Sequence, residues 1–522
     1  MLPFVKKLVK EGKEETGSAT AVSAIASPPT ATRAPFAFDD EQYIEQAGTC
    51  CTPYVYPSLL EEAEEMLHVS MLIYSITDLR AIAKNKKKRK KLKEPQRILD
   101  LPLNLAKCMQ LLEDNADVVR EEFGDDEHAN TMASLQSIHA RYQQRQKDES
   151  QSDGDIHNDD KDQDESSTNT TKSFVSHWFK PLFSGTDESI EIQASPMIPV
   201  LTAYGDENPE TDMVYAVGID CLRKRITVGF RGSVTTTDFA KDASIHMKHL
   251  KNPIPGSAEE SNIGIHQGFF DYLLKKRKTE SKLDEIIAHV KTAFSVPGRQ
   301  EEYKLYVTGH SLGGALATIF SFYVAASLLG DDESTDSVIP APVSCISIAS
   351  PRCGDQKFQT AFAQLEKKSL LRHLRIANSG DPITVLPGAT GKKIWARLSP
   401  VSYLAFKLMD NEFEKKETFR HTGLKLRLAK AECDFSYVGE PLDVVGEKDE
   451  PSSDDMDSNS NKKSARRPDK IPDPSYHLGK AYTENIVSVK TELSGLSLND
   501  LYRTKVAAIV AKRGLEEDGE QS

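Results

Sequence analysis

The chain has 522 residues, with 79 acidic against 66 basic side chains and a formal net charge of −13. That balance argues against a general nucleic-acid binder and leaves only local basic patches to meet a polyanion. A hydrophobic content of 38% is low for a chain packed throughout, so disordered segments are expected, and no uninterrupted apolar run reaches the ~18 residues of a membrane-spanning helix.

Met1–Lys13 sets Leu2, Phe4, Val5, Leu8 and Val9 against four lysines. It reads as a frayed terminus or as a short amphipathic helix on an anionic membrane. It is too short and too interrupted for a secretory signal. Gly17–Ala37, rich in Ala, Ser, Thr and Pro, reads as a flexible tail. The spacing of Leu59, Leu60, Ala63, Met66 and Leu67 predicts a helix over Pro57–Ala83, with Glu61, Glu62, Glu64 and Glu65 on its other face. Lys84–Lys93 then carries eight positive charges in ten residues. A solvated helix end is the plain reading; a nuclear-import-like patch and a contact with anionic lipid are the others. Leu101–Phe123 and Asn130–Gln144 are further helical candidates. Lys147–Lys172 and Glu447–Pro474 are acidic or polar and almost without apolar side chains, so both read as disordered.

Between them strands alternate with helical segments. Val214–Ile219 and Ile226–Phe230 read as a hairpin. Leu305–Val307, Val343–Ile348 and Leu374–Ile376 read as short buried strands. This predicts an α/β fold with a mostly parallel central sheet flanked by helices, whose site forms at the carboxyl ends of its strands. The seven cysteines, Cys50, Cys51, Cys108, Cys221, Cys345, Cys353 and Cys433, show no metal-ligand spacing and read as reduced thiols of an intracellular protein.

The stretch Lys304–Ala317 carries the chemistry. A strand runs into Gly309-His310-Ser311-Leu312-Gly313, and an almost wholly apolar helix follows over Ala315–Leu328. Strand, glycine-flanked serine and helix are the context of a nucleophile elbow. A serine hydroxyl needs a base, and the base needs a carboxylate to fix its tautomer. In such a fold the order should be Ser, then Asp or Glu, then His. Asp381, in a loop after a strand, is the leading carboxylate; Asp355 competes from a Pro/Gly-rich loop. Downstream histidines are His373, which breaks the order, His421 in the charged stretch Glu412–Arg427, and His477 at the start of helical Leu478–Ile486. Oxyanion donors are expected at the N–H of Leu312 and at Ser233, which follows a strand end.

These residues carry a resemblance. FRGS at Phe230–Ser233 with Asp238-Phe239, HQGFFDYL at His266–Leu273, GHSLGG at Gly309–Gly314, SPRCG at Ser350–Gly354, the Asp loop Ala377–Pro387 and HLGKAY at His477–Tyr482 stand in the order of the class 3 lipases. The chain is similar to diacylglycerol and triacylglycerol lipases of that family, well over Val214–Pro387 and again at His477–Tyr482. Two departures are Phe239, where the family usually has Trp, and the long gap from Asp381 to His477. The resemblance implies an α/β-hydrolase fold and the triad Ser311, Asp381 and His477. It implies an oxyanion hole of Ser233 and Leu312, with Gly309, His310, Gly313 and His266 supporting the motifs. It also implies a lid over roughly Ala240–Ile263.

The expected activity is a serine hydrolase acting on acyl esters of triacylglycerol, diacylglycerol or phospholipid, with no cofactor and no metal. Its partner is a glycerolipid at a lipid–water interface, not a nucleic acid. Peripheral contact with a membrane or lipid droplet is compatible with an intracellular, cytoplasmic location. A catalytically silent scaffold acting through protein partners is the alternative. The expected organisation is a tail over 1–45, a helical region over 46–146 and an acidic insertion over 147–175. A catalytic core over 176–446, a second insertion over 447–474 and a part carrying the catalytic histidine over 475–522 complete it.

Overall fold

The computed structural model describes residues 54–123, 199–209, 212–232, 246–255, 262–277, 279–329, 338–387, 419–442 and 473–509, with isolated positions between 132 and 144. Met1–Lys13, Gly17–Ala37, Lys147–Lys172, Ser233, Asp238-Phe239 and nearly all of Glu447–Pro474 lie outside the described residues.

The chain enters through α1 (Leu59–Lys84), which Ser58 and Glu61 start with a reciprocal capping box. Helices α2 (Leu105–Asp114) and α3 (Ala116–Phe123) follow the two-residue strand β1 (Leu103–Asn104). Strands β2 (Val200–Gly205), β3 (Tyr215–Asp220) and β4 (Arg225–Phe230) come next. A separate antiparallel ribbon pairs β5 (Met247–Lys251) with β6 (Asn262–His266). Then come α4 (Gln267–Leu273), α5 (Lys282–Phe294), β7 (Lys304–His310), α6 (Leu312–Ser327), β8 (Val343–Ile348), α7 (Gln356–Lys367) and β9 (Leu371–Asn378). The described chain ends with β10 (Leu424–Ala429), β11 (Glu432–Tyr437), β12 (Glu440–Leu442) and α8 (Gly479–Ser488), followed by shorter helical turns.

Ten strands form one mixed sheet in the order β1-β2-β3-β4-β7-β8-β9-β10-β11-β12. The parallel sheet expected from the sequence is its centre, β4-β7-β8-β9-β10. Antiparallel strands extend it on both sides. Alternation in β7 divides the core. Leu305 and Val307 join one apolar cluster with Phe320 of α6, while Tyr306 joins the other with Met66 of α1 and Tyr482 of α8. Helices therefore cover both faces.

Among the described residues α1 alone is long and apolar enough to cross a membrane, yet it packs along the sheet with Leu59, Ala63, Met66 and Leu67 fully buried. One reading of this helix is corrected. Glu62 and Glu65 do not lie on the outer face; both are buried. Glu62 accepts from Arg372 and from the Tyr306 hydroxyl, and Glu65 pairs with Arg223 and Arg225. The sheet presents arginines at the amino ends of its strands, and a buried charge is tolerated only opposite a partner. A second correction concerns Glu412–Arg427. Its end begins β10, where Leu424, Leu426 and Leu428 are fully buried and alternate with Lys425 and Arg427. Of the expected lid, residues 246–255 and 262–263 are described; they contain the strand β5 and the start of β6.

Glu366, near the end of α7, is buried and accepts from the hydroxyls of Tyr437 at 2.7 Å and Tyr502 at 2.6 Å. Burial pushes its carboxyl from 4.5 up to about 8, although both phenols pull the other way. The folded state therefore keeps a proton that the unfolded chain releases. That contribution is complete below pH 4.5 and is lost as the pH rises to about 8. Thermal melts of Glu366→Gln should accordingly lose less stability across this window than those of the wild type. Parallel melting curves would rule the effect out.

Candidate active site

Ser311 stands between the end of β7 and the first turn of α6. Its backbone has φ 59° and ψ −127°, a region that costs a non-glycine residue about 1–3 kcal/mol. The turn is held by Ser311 N–H donating to Ile348 C=O and Gly314 N–H donating to Ser311 C=O, each at 2.9 Å. Gly309 is the penultimate residue of β7. Gly313 is required by close approach, since a Cβ there would lie 2.2 Å from the Phe230 carbonyl oxygen. The elbow expected from the sequence is thus present in backbone geometry.

His477 is brought to it from 166 residues downstream. Its Nε2 lies 2.9 Å from Ser311 Oγ, and its Nδ1 lies 3.0 and 3.1 Å from the two oxygens of Asp381. Nδ1 carries the proton toward the carboxylate, which leaves the Nε2 lone pair facing the serine hydroxyl. Asp381 is almost fully buried just beyond β9. Besides His477, it accepts from the Tyr482 hydroxyl at 2.7 Å and from the Ile383 N–H at 2.9 Å. Tyr482 in turn accepts from the Asn378 N–H at 3.0 Å. This keeps the carboxylate solvated by fixed donors instead of water.

The competing residues are committed elsewhere. Asp355 caps α7, accepting from Phe358 N–H at 2.7 Å. His373 is buried against Ser347 Oγ at 2.8 Å, and burial lowers its pKa to about 3. His421 is half-buried and donates from Nε2 to the Thr384 carbonyl at 2.6 Å; desolvation first, and the charges of Arg375 and Arg352 second, hold it well below its ordinary range.

His310 supports the histidine, not the serine. Its Nε2 donates to the His477 carbonyl at 2.8 Å, so its Nδ1 is left to accept from the Tyr74 hydroxyl, 3.4 Å away on α1. Burial first and His477 second depress its pKa to about 3, so it stays neutral. His266 is fully buried, accepts from Gly268 N–H at 3.2 Å to cap α4 and stacks on Phe269. It caps and packs the start of α4, with its ring also against Phe419. Sequence reasoning missed the roles of Tyr482 and Tyr74. The Tyr in HLGKAY was visible but carried no assignment, and nothing local marks Tyr74.

Leu312 is the first residue of α6, where a backbone N–H has no acceptor within the helix and adds to the positive end of its dipole. The other expected oxyanion residue, Ser233, lies outside the described residues. Its neighbour Gly232 does not, and a Cβ there would come within 3.0 Å of Ser311 Cβ. The end of β4 therefore passes beside the serine. A pocket open to solvent lies between α1 and the β2–β4 face, lined by Val69, Ile73, Leu103, Tyr204 and Thr227. Neither Ser311 nor His477 lines it. The five described cysteines are unpaired thiols, none of them part of this constellation.

Residues 227–391 match the family model for Lipase (class 3). Phospholipase A1-II 3 of Oryza sativa subsp. indica is 31% identical over 191 residues, which is 35% of this chain and 43% of that protein. Phospholipase A1-IIgamma of Arabidopsis thaliana is 30% identical over 172 residues, 32% of this chain and 39% of that protein. The chain thus spans about two fifths of the length of these relatives. Among solved structures, a Rhizomucor miehei lipase propeptide complex is 22% identical, with a TM-score of 0.31, covering 47% of this chain and 60% of that one.

Proposed function

We propose that this chain, whose residues 227–391 match the class 3 lipase family, is a serine hydrolase that cleaves an acyl ester of a glycerolipid. One observation carries the reading: Ser311 Oγ, His477 and Asp381 form a continuous hydrogen-bonded path at 2.9 and 3.0 Å. Ser311 Oγ attacks the ester carbonyl carbon while His477 Nε2 takes its proton, and Asp381 faces the resulting imidazolium. The N–H of Leu312, together with Ser233, receives the carbonyl oxygen as it becomes negative. The carbon–oxygen ester bond then breaks, the leaving alcohol takes the proton from His477, and the acyl group remains on Ser311. Water, deprotonated by the same Nε2, releases the fatty acid and restores the serine.

The relatives are named as phospholipases A1, so a phospholipid acyl ester is the substrate to offer first, with diacylglycerol and triacylglycerol beside it. The test is release of fatty acid by the purified chain from each lipid in mixed micelles, read by chromatography. Release from one class or more is expected. A folded protein that releases none would favour the catalytically silent scaffold. Tyr482→Phe removes one donor from the buried carboxylate and is expected to lower kcat roughly tenfold with KM unchanged. A change in KM alone would place Tyr482 outside the reaction.

A further inference from the structure

We infer that the basic rim Lys84–Lys93 is a docking surface for an anionic lipid bilayer, set at the end of the sheet where Ser311 stands. The inference extends the hydrolase reading by naming the surface the enzyme sits on.

Register fixes the position. Gly205 pairs with Tyr215, Tyr215 with Phe230, and Phe230 with Gly309. Asp206, one residue past the end of β2, is therefore level with His310 and Ser311, three strand spacings or about 15 Å across the sheet. Arg80 Nε binds Asp206 at 2.9 Å and Lys84 Nζ binds it at 2.8 Å. The carboxyl end of α1, and the basic stretch that continues it, are thus pinned to the same end of the sheet as the serine.

The stretch is built, not loose. Asn85 Oδ1 accepts from the N–H groups of Lys87 at 3.0 Å and Lys88 at 3.3 Å. Lys88–Lys91 forms a single 3₁₀ turn, Leu92 is buried against the cluster of Ile82, Ala83 and Ile98, and Lys93 N–H donates to Asn115 Oδ1 at 2.7 Å. Lys84 and Lys91 are matched by Asp206 and Glu121. Lys86, Lys87, Lys90 and Lys93 are exposed and have no carboxylate partner among the described residues.

A cluster of unneutralised lysines on a chain of net charge −13 is a local feature against the general field. Anionic headgroups meet such a rim as a plane, and each basic residue near the surface adds roughly fivefold to binding. A single-stranded nucleic-acid site would call for aromatic side chains between the charges, and Lys84–Lys93 has none.

The test is flotation of the full chain with vesicles of phosphatidylcholine alone or with ~30 mol% phosphatidylserine, a composition giving a negative surface potential. Alongside it runs the triple variant Lys86→Gln, Lys87→Gln, Lys90→Gln. Wild type should bind the anionic vesicles and lose binding as salt rises. The variant should bind about 10²-fold more weakly while turning over a water-soluble ester at the wild-type rate. Equal binding by both proteins, equal binding to neutral vesicles, or tighter binding to duplex DNA than to anionic vesicles would overturn the inference. Vesicle binding as expected with no ester turnover in either protein would leave the docking surface standing and remove the hydrolase reading.

Discussion

Ser311→Ala and His477→Ala should each reduce kcat on a short water-soluble ester by on the order of 10⁵–10⁶, and the double variant should be scarcely worse than either alone. Nucleophile and base act as one unit in such a constellation, so losing either removes the whole contribution. A stand-in base is not at hand. His373 is buried and His421 half-buried; both are held neutral and bonded, to Ser347 and to the Thr384 carbonyl respectively. His310 is buried too, with its Nε2 directed to the His477 carbonyl. Steady-state kinetics on the soluble ester check this. A His477→Ala enzyme retaining more than about a tenth of wild-type kcat would contradict it, because that exceeds what residual oxyanion stabilisation leaves behind.

Asp381→Asn should cost about 10⁴ in kcat while the protein stays folded. In the wild type two carboxylate oxygens accept from His477 Nδ1, Tyr482 and the Ile383 N–H. An amide keeps one acceptor and offers N–H groups in place of the other. Where that amide N–H meets His477 Nδ1, the imidazole must carry its proton on Nε2 and present it to Ser311. The hydroxyl then faces a donor and is no longer activated. Burial makes this decisive, since Asp381 lies in a low-dielectric interior where an unmet polar group is costly. A loss smaller than about tenfold would mean that the carboxylate does not set the tautomer.

What the sequence disclosed follows from locality. The elbow was legible because strand, glycines, serine and helix lie within one short stretch, and each constrains the next. The parallel strands were legible as apolar runs. Asp381 and His477 lie 96 residues apart, and spacing alone left three histidines open; the resemblance to the ordered motifs of the class 3 lipases chose among them. The inward faces of Glu62 and Glu65 could not be read, because Arg372 is 310 residues from Glu62 and Arg223 is 158 from Glu65. Strand β10 was hidden by its own outward Lys425 and Arg427, although the buried leucines between them have the period of a strand. Tyr74 reaches His310 only because α1 runs along the parallel strand β7, a placement no local pattern states.

Covalent labelling tests the central claim most directly. The full chain is treated with a fluorophosphonate, and the adduct is located by mass spectrometry of its peptides, beside Ser311→Ala and His477→Ala. The account predicts a single adduct on Ser311 in the wild type, absent from Ser311→Ala and almost absent from His477→Ala. A folded wild type that takes no label, with or without detergent, or an adduct that persists undiminished in His477→Ala, would contradict it.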